Sequence, residues 1–139
     1  MGNSKNDNKE NRMAKNSNNW TEEQITIVLY EYCRNPFGQF SATKPFVMEL
    51  GKLLGRTPGA IVRKVGNLAS FDPQMKVRGV GGLAHTAKLD EVVWNKYFGH
   101  WDQLAYDAEV LLAKVKNKEL EESTLSNFAP KNSSETNIS

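Results

Sequence analysis

The chain has 139 residues, with 18 basic and 16 acidic side chains, a net charge of +2, one cysteine and two histidines. A single domain is expected at this length, and the lone Cys33 excludes an internal disulfide. No apolar run approaches the roughly 18–20 residues of a membrane span and the N-terminus lacks the apolar stretch of a signal peptide, so the expected setting is the cytoplasm without membrane contact.

Residues 1–18 are Asn, Lys, Ser and Gly with almost nothing apolar. Such a segment buries too little surface to offset the entropy of ordering, and a disordered tail is expected. The first helix has a clear start. Thr21-Glu22-Glu23-Gln24 fits a capping box, and Trp20 before it pairs with Ile25 as a hydrophobic staple. Ile25, Val28, Leu29 and Tyr32 recur at helical spacing, and Cys33 beside them is expected to be a buried, reduced thiol. Asn35-Pro36 ends the run, because the residue before proline disfavours helix. Phe37 and Phe40 then pin a turn to the core.

A second helix is predicted from Thr43–Pro45 through Phe46, Val47, Leu50, Leu53 and Leu54 to Gly55. Gly55 suits the left-handed position past a helix end, and Thr57-Pro58 the N-cap and first position of the next. The third helix covers about 58–70. Ile61, Val62, Val65, Leu68 and Ala69 fill one arc of it, with Gly59, Arg63, Asn67 and Ser70 opposite and Lys64 flanking them. Residues 74–88 read as a loop broken by Gly79, Gly81 and Gly82 and carrying Lys76 and Arg78. A loop of that length is often functional. A fourth helix spans Lys88 to Phe98, and a fifth starts near Trp101 and frays after Lys118. Trp20, Trp94 and Trp101 are expected in the core or the staple.

No segment alternates long enough for a strand. The prediction is an all-α bundle of four to five helices containing a helix-turn-helix. It occupies 19–118, between a disordered polar tail at 1–18 and another at 119–139.

Charge is unevenly placed. Residues 40–88 hold eight basic side chains against two acidic ones, whereas 89–139 hold five against nine. A basic block on the helix-turn-helix points to a polyanion as partner. A polar, basic second helix after a glycine turn is the arrangement that lies in a DNA major groove. The candidate DNA-binding residues are Arg56, Thr57, Gly59, Arg63, Lys64, Asn67, Lys76 and Arg78. Arg63 is expected on a base or phosphate, Asn67 on adenine, and Lys76 and Arg78 on the phosphate backbone.

Catalytic chemistry is not suggested. One cysteine with the separated His85 and His100 gives no metal-ligand spacing, and no phosphate-binding loop is present. The adjacent carboxylates Asp90 and Glu91 read as solubilising charge. No catalytic residue, metal or cofactor is expected.

The order Asn19-Trp20-Thr21-Glu22-Glu23, Asn35-Pro36-Phe37-Gly38, Leu53-Leu54-Gly55-Arg56-Thr57-Pro58-Gly59-Ala60-Ile61 and Lys64 to Pro73, followed by Leu89-Asp90, Val93-Trp94 and Trp101 to Ala105, resembles the helical domain at the N-terminus of bacterial HNH-endonuclease-type proteins. The likeness runs over about 19–110. The Trp-Thr-Glu-Glu start and the Gly-Arg-Thr-Pro-Gly turn also resemble Myb-like helix-turn-helix domains. In HNH-type proteins the module precedes a separate nuclease domain, so the resemblance implies targeting to DNA. The nuclease has no counterpart here, and the two histidines form no His-Asn-His site, so cleavage is not implied. The expectation is a non-catalytic module for double-stranded DNA. The alternatives are a protein-interaction module docking through the acidic last helix or the glycine-containing loop, and an orphan targeting domain of an HNH-type nuclease system.

Overall fold

The computed structural model describes residues 19–79 and 87–128. The tail at 1–18, His85 and the rest of 80–86, and 129–139 lie outside the described residues, and so do the expectations placed on them. Six α-helices follow one another: α1 Glu22–Arg34, α2 Pro45–Leu54, α3 Pro58–Ala69, α4 Pro73–Val77, α5 Lys88–Tyr97 and α6 Trp101–Phe128, with a 3-10 turn at Phe37–Gln39 between α1 and α2. Among the described residues there is no strand. The all-helical class is as expected from the sequence.

The central element is α1, which packs against α3, α5 and α6. Its sequence predicts one apolar face, yet five consecutive residues, Ile25 to Leu29, are buried. Thr26 is among them because its hydroxyl donates to the Glu22 carbonyl at 2.8 Å, which satisfies its polar group. The start is held as the sequence indicates. The Thr21 hydroxyl accepts from the Gln24 N–H at 3.1 Å, and the Gln24 carbonyl oxygen accepts from the Thr21 N–H at 3.2 Å. Phe37 packs on the core and Phe40 is buried within it.

Helices α2 and α3 are joined by Gly55-Arg56-Thr57. Gly55 takes φ +70°, and the Thr57 hydroxyl accepts from the Ala60 N–H at 3.1 Å, with Pro58 in the first turn. Gly51 permits the tightness of this corner. The Arg56 N–H donates to the Gly51 carbonyl at 2.7 Å, and a Cβ on Gly51 would stand 2.6 Å from the Arg56 carbonyl oxygen.

Two elements differ from expectation. The predicted loop at 74–88 contains α4, whose start is an Asp-Pro pair. The Asp72 carboxylate accepts from the Gln74 N–H at 2.9 Å, and Met75 is buried under the turn. Asp72-Pro73 reads as a break in sequence, but it is equally an N-cap followed by a first-turn proline. The last helix continues past 118 to Phe128. Its polar residues mark the point where the helix leaves the core, but Glu, Leu and Lys are good helix formers and no glycine or proline intervenes.

The corner gives a direct test. Gly51→Ala should lower stability by about 1–3 kcal/mol through overpacking. Gly59→Ala, where a Cβ meets nothing within 4 Å, should leave stability unchanged or raise it by up to about 1 kcal/mol. Thermal unfolding followed by circular dichroism ranks the two. The reverse order would contradict the packing described.

Candidate nucleic-acid interface

One flank of α3, between its apolar face and Arg63, is fixed by a charged cluster. Lys64 is 6 % exposed, and its ammonium donates to both oxygens of Asp90, at 2.8 and 3.1 Å. Asp90 lies in the first turn of α5 and is fully buried. The Asn67 amide donates to its Oδ2 at 3.0 Å. A buried carboxylate is tolerable only when paired and hydrogen-bonded, and three donor contacts meet that need. The Lys64 ammonium also lies 4.9 Å from the centre of the Trp20 ring.

Arg56 holds the corner from the same side. Its guanidinium lies 4.4 Å from the centre of the Trp20 ring and donates to the Asn19 carbonyl at 2.8 Å and to the Gln24 carbonyl oxygen at 2.9 Å. The Gln24 amide in turn donates to the Leu54 carbonyl at 3.2 Å. Burial lowers the Arg56 pKa, but guanidinium groups remain charged in proteins. The Trp20 indole thus serves as a common apolar plate for both cations.

These positions separate the eight candidates. Thr57, Gly59, Arg63, Lys76 and Arg78 are exposed. Arg63 makes no ion pair among the described residues. Lys64, expected beside the outer face, is instead buried and neutralised by Asp90. Asn67, expected to be available for adenine, is half-buried and its amide is committed to the same carboxylate. Arg56 is half-buried on Trp20. The three belong to the support of α3. The sequence places Asn67 on the outer arc with Lys64 flanking it because helical periodicity registers only apolar burial, and it gives no sign of a carboxylate arriving from another helix. For the same reason Asp90 is not the solubilising charge expected. Only its neighbour Glu91 is exposed.

The thiol of Cys33 also departs from expectation. It is at the surface and not in the core. Partial loss of hydration around the sulfur, then the Asp72 carboxylate, pushes its pKa up to about 11. Among the described residues no three His, Cys, Asp or Glu side chains stand close enough to hold a metal ion, and no helix is long and apolar enough to cross a membrane. Comparison with protein-family models, curated proteins and solved structures found no match for the chain.

Two outcomes follow. Asp90→Ala should cost about 3–5 kcal/mol, because it leaves the Lys64 ammonium buried without its counter-charge. The apolar double change Lys64→Met with Asp90→Leu should recover most of that loss. Urea unfolding of the three proteins checks both, and a loss below about 1 kcal/mol in the single variant would contradict a buried, interdependent pair. For Cys33, only the thiolate attacks an alkylating reagent. The iodoacetamide rate should therefore be low at neutral pH and rise through about 11. A rate that levels off below pH 9 would contradict the raised value.

Proposed function

We propose that the chain is a non-catalytic DNA-binding module that presents the outer face of α3 to the major groove of double-stranded DNA. The observation that carries this reading is Arg63. It is an exposed guanidinium without an ion pair among the described residues, on a helix held alongside it, one turn away at Asn67 and at Lys64, by the buried Asp90 carboxylate. A guanidinium suits a guanine edge or a phosphate, both of which it meets with two parallel donors. Thr57, the N-cap, and Gly59, in the first turn, stand at the start of α3, the part of a recognition helix that commonly approaches base edges. Gly59 adds no side-chain bulk there.

In this reading Lys76, on the exposed side of α4, contacts the phosphate backbone. Arg56, Lys64 and Asn67 act indirectly by positioning α3. The resemblance of 19–110 to the helical domain of HNH-endonuclease-type proteins supports a targeting role; in this reading the chain acts on DNA in the bacterial cytoplasm and any cleavage belongs to another domain or subunit.

Anisotropy of a labelled duplex pool at two salt concentrations tests the reading. Arg63→Ala should lose about 1–3 kcal/mol against the preferred sequence with unchanged thermal stability. Lys76→Ala should weaken all sequences alike and lower the salt slope by roughly 0.9. Unchanged affinity in Arg63→Ala would remove α3 as the reader. In parallel, the parent protein with Mg²⁺, Mn²⁺ or Zn²⁺ should bind supercoiled plasmid without nicking it, and metal-dependent nicking that disappears in Arg63→Ala would overturn the non-catalytic assignment.

A further inference from the structure

Away from α3, the end of α1, α4, α5 and the first turn of α6 enclose an open groove of about 870 Å³. One side is an aromatic cluster. Trp94 stacks on Phe98 at 5.5 Å, and Trp101 meets the edges of Phe98 at 5.8 Å and of Trp94 at 6.0 Å. Trp94 is buried, but Phe98 is 48 % and Trp101 40 % exposed, although sequence places Trp101 in the core. Met75 and Phe37 also line the groove. Two adjoining exposed aromatics contribute nothing to the fold by that exposure, and they make a contiguous apolar patch of the kind that marks a contact site.

The charges on the groove select the class of occupant. Among the described residues it is lined by one carboxylate and one cation, with no lysine or glutamate. The carboxylate, Asp72, is already engaged. It accepts from the Tyr32 hydroxyl at 2.6 Å and from the Gln74 N–H at 2.9 Å. The cation, Arg78, is exposed. Its guanidinium meets the Met75 sulfur at 3.8 Å and makes no ion pair among the described residues. Tryptophan, phenylalanine, methionine and arginine with few other charges is the composition of protein interface cores, and Trp and Arg dominate their binding energy. A nucleic-acid strand would call for several cations along the groove.

We propose that this groove docks a peptide segment of a partner protein, which seats one large apolar side chain against Phe98, Trp101 and Met75 and places a carboxylate on Arg78. The surface is distinct from the outer face of α3 and does not depend on DNA binding. It takes Trp101 from the start of the last helix and Gln74, Met75 and Arg78 from the 74–88 segment named from sequence, but none of the acidic residues of that helix.

The test is selection of a random dodecapeptide phage library on the full chain, followed by anisotropy of the selected sequences as labelled synthetic peptides. The expected peptides share a Trp, Phe or Leu within a few residues of Asp or Glu. Phe98→Ala with Trp101→Ala should weaken them about tenfold or more, equivalent to about 1.4 kcal/mol. Arg78→Glu leaves the aromatic cluster intact and should weaken them comparably, whereas a peptide with Lys in place of the acidic residue should bind Arg78→Glu better than the parent. Circular dichroism confirms folding of each variant. Failure to select peptides sensitive to these changes would overturn the proposal, as would displacement of the selected peptides by oligothymidylate with retention of the same Arg78 and Trp101 dependence. Duplex binding through Arg63 is measured separately, so either reading can fail alone.

Discussion

The structure depends on a carboxylate with no access to water. Asp90 joins α5 to α3 through Lys64 and Asn67, and the orientation of α3 relative to α1 and the α2 corner follows from where that carboxylate sits. Burying a pair of charges is costly and need not add net stability. Its consequence is geometric, since an ammonium and an amide must both reach one carboxylate, which restricts rotation and sliding of α3. Trp20 completes the arrangement by covering Lys64 and Arg56, and so the residue just ahead of the α1 cap also stabilises the corner before α3.

This division of labour gives the basic block a different meaning from a simple electrostatic footprint. Of the cations on the α2–α3 unit, Lys64 and Arg56 hold the fold, and Lys52 and Arg63 face outward. A reader helix needs both kinds, because contact with a base edge is specific only when the helix that presents it is held within a fraction of an ångström. The groove beside Trp94 and Trp101 is organised differently, with aromatic surface and a single cation, and it suits a protein partner more than a polyanion.

Much of the backbone was legible in the sequence. The capping box at Thr21, the Gly55 turn and the Thr57-Pro58 start are local signals, and each has the hydrogen bonds its residue types imply. Local chemistry was also present at Asp72-Pro73, but it was outweighed by the glycines that follow. The polarity after Val115 concealed the continuation of α6, because amphipathic periodicity ends where a helix leaves the core even if the helix does not. The site was legible only in part. Arg63 is exposed, as its position on the α3 arc indicates, whereas the roles of Lys64, Asn67 and Asp90 depend on contacts between helices more than twenty residues apart. Exposure of Cys33 and Trp101 likewise depends on how helices end and cross, which periodicity does not encode.

If the outer face of α3 meets duplex DNA, it does so with the Asp90 cluster closed beside it. Titration of ¹⁵N-labelled full chain with a short duplex, followed by two-dimensional NMR, tests this residue by residue. The largest shifts are expected at Thr57, Gly59 and Arg63, with smaller ones at Lys76, and the Asn67 side-chain amide should keep its bound position throughout. Shifts concentrated at Phe98 and Trp101, or no shifts on α3 at saturating duplex, would contradict it.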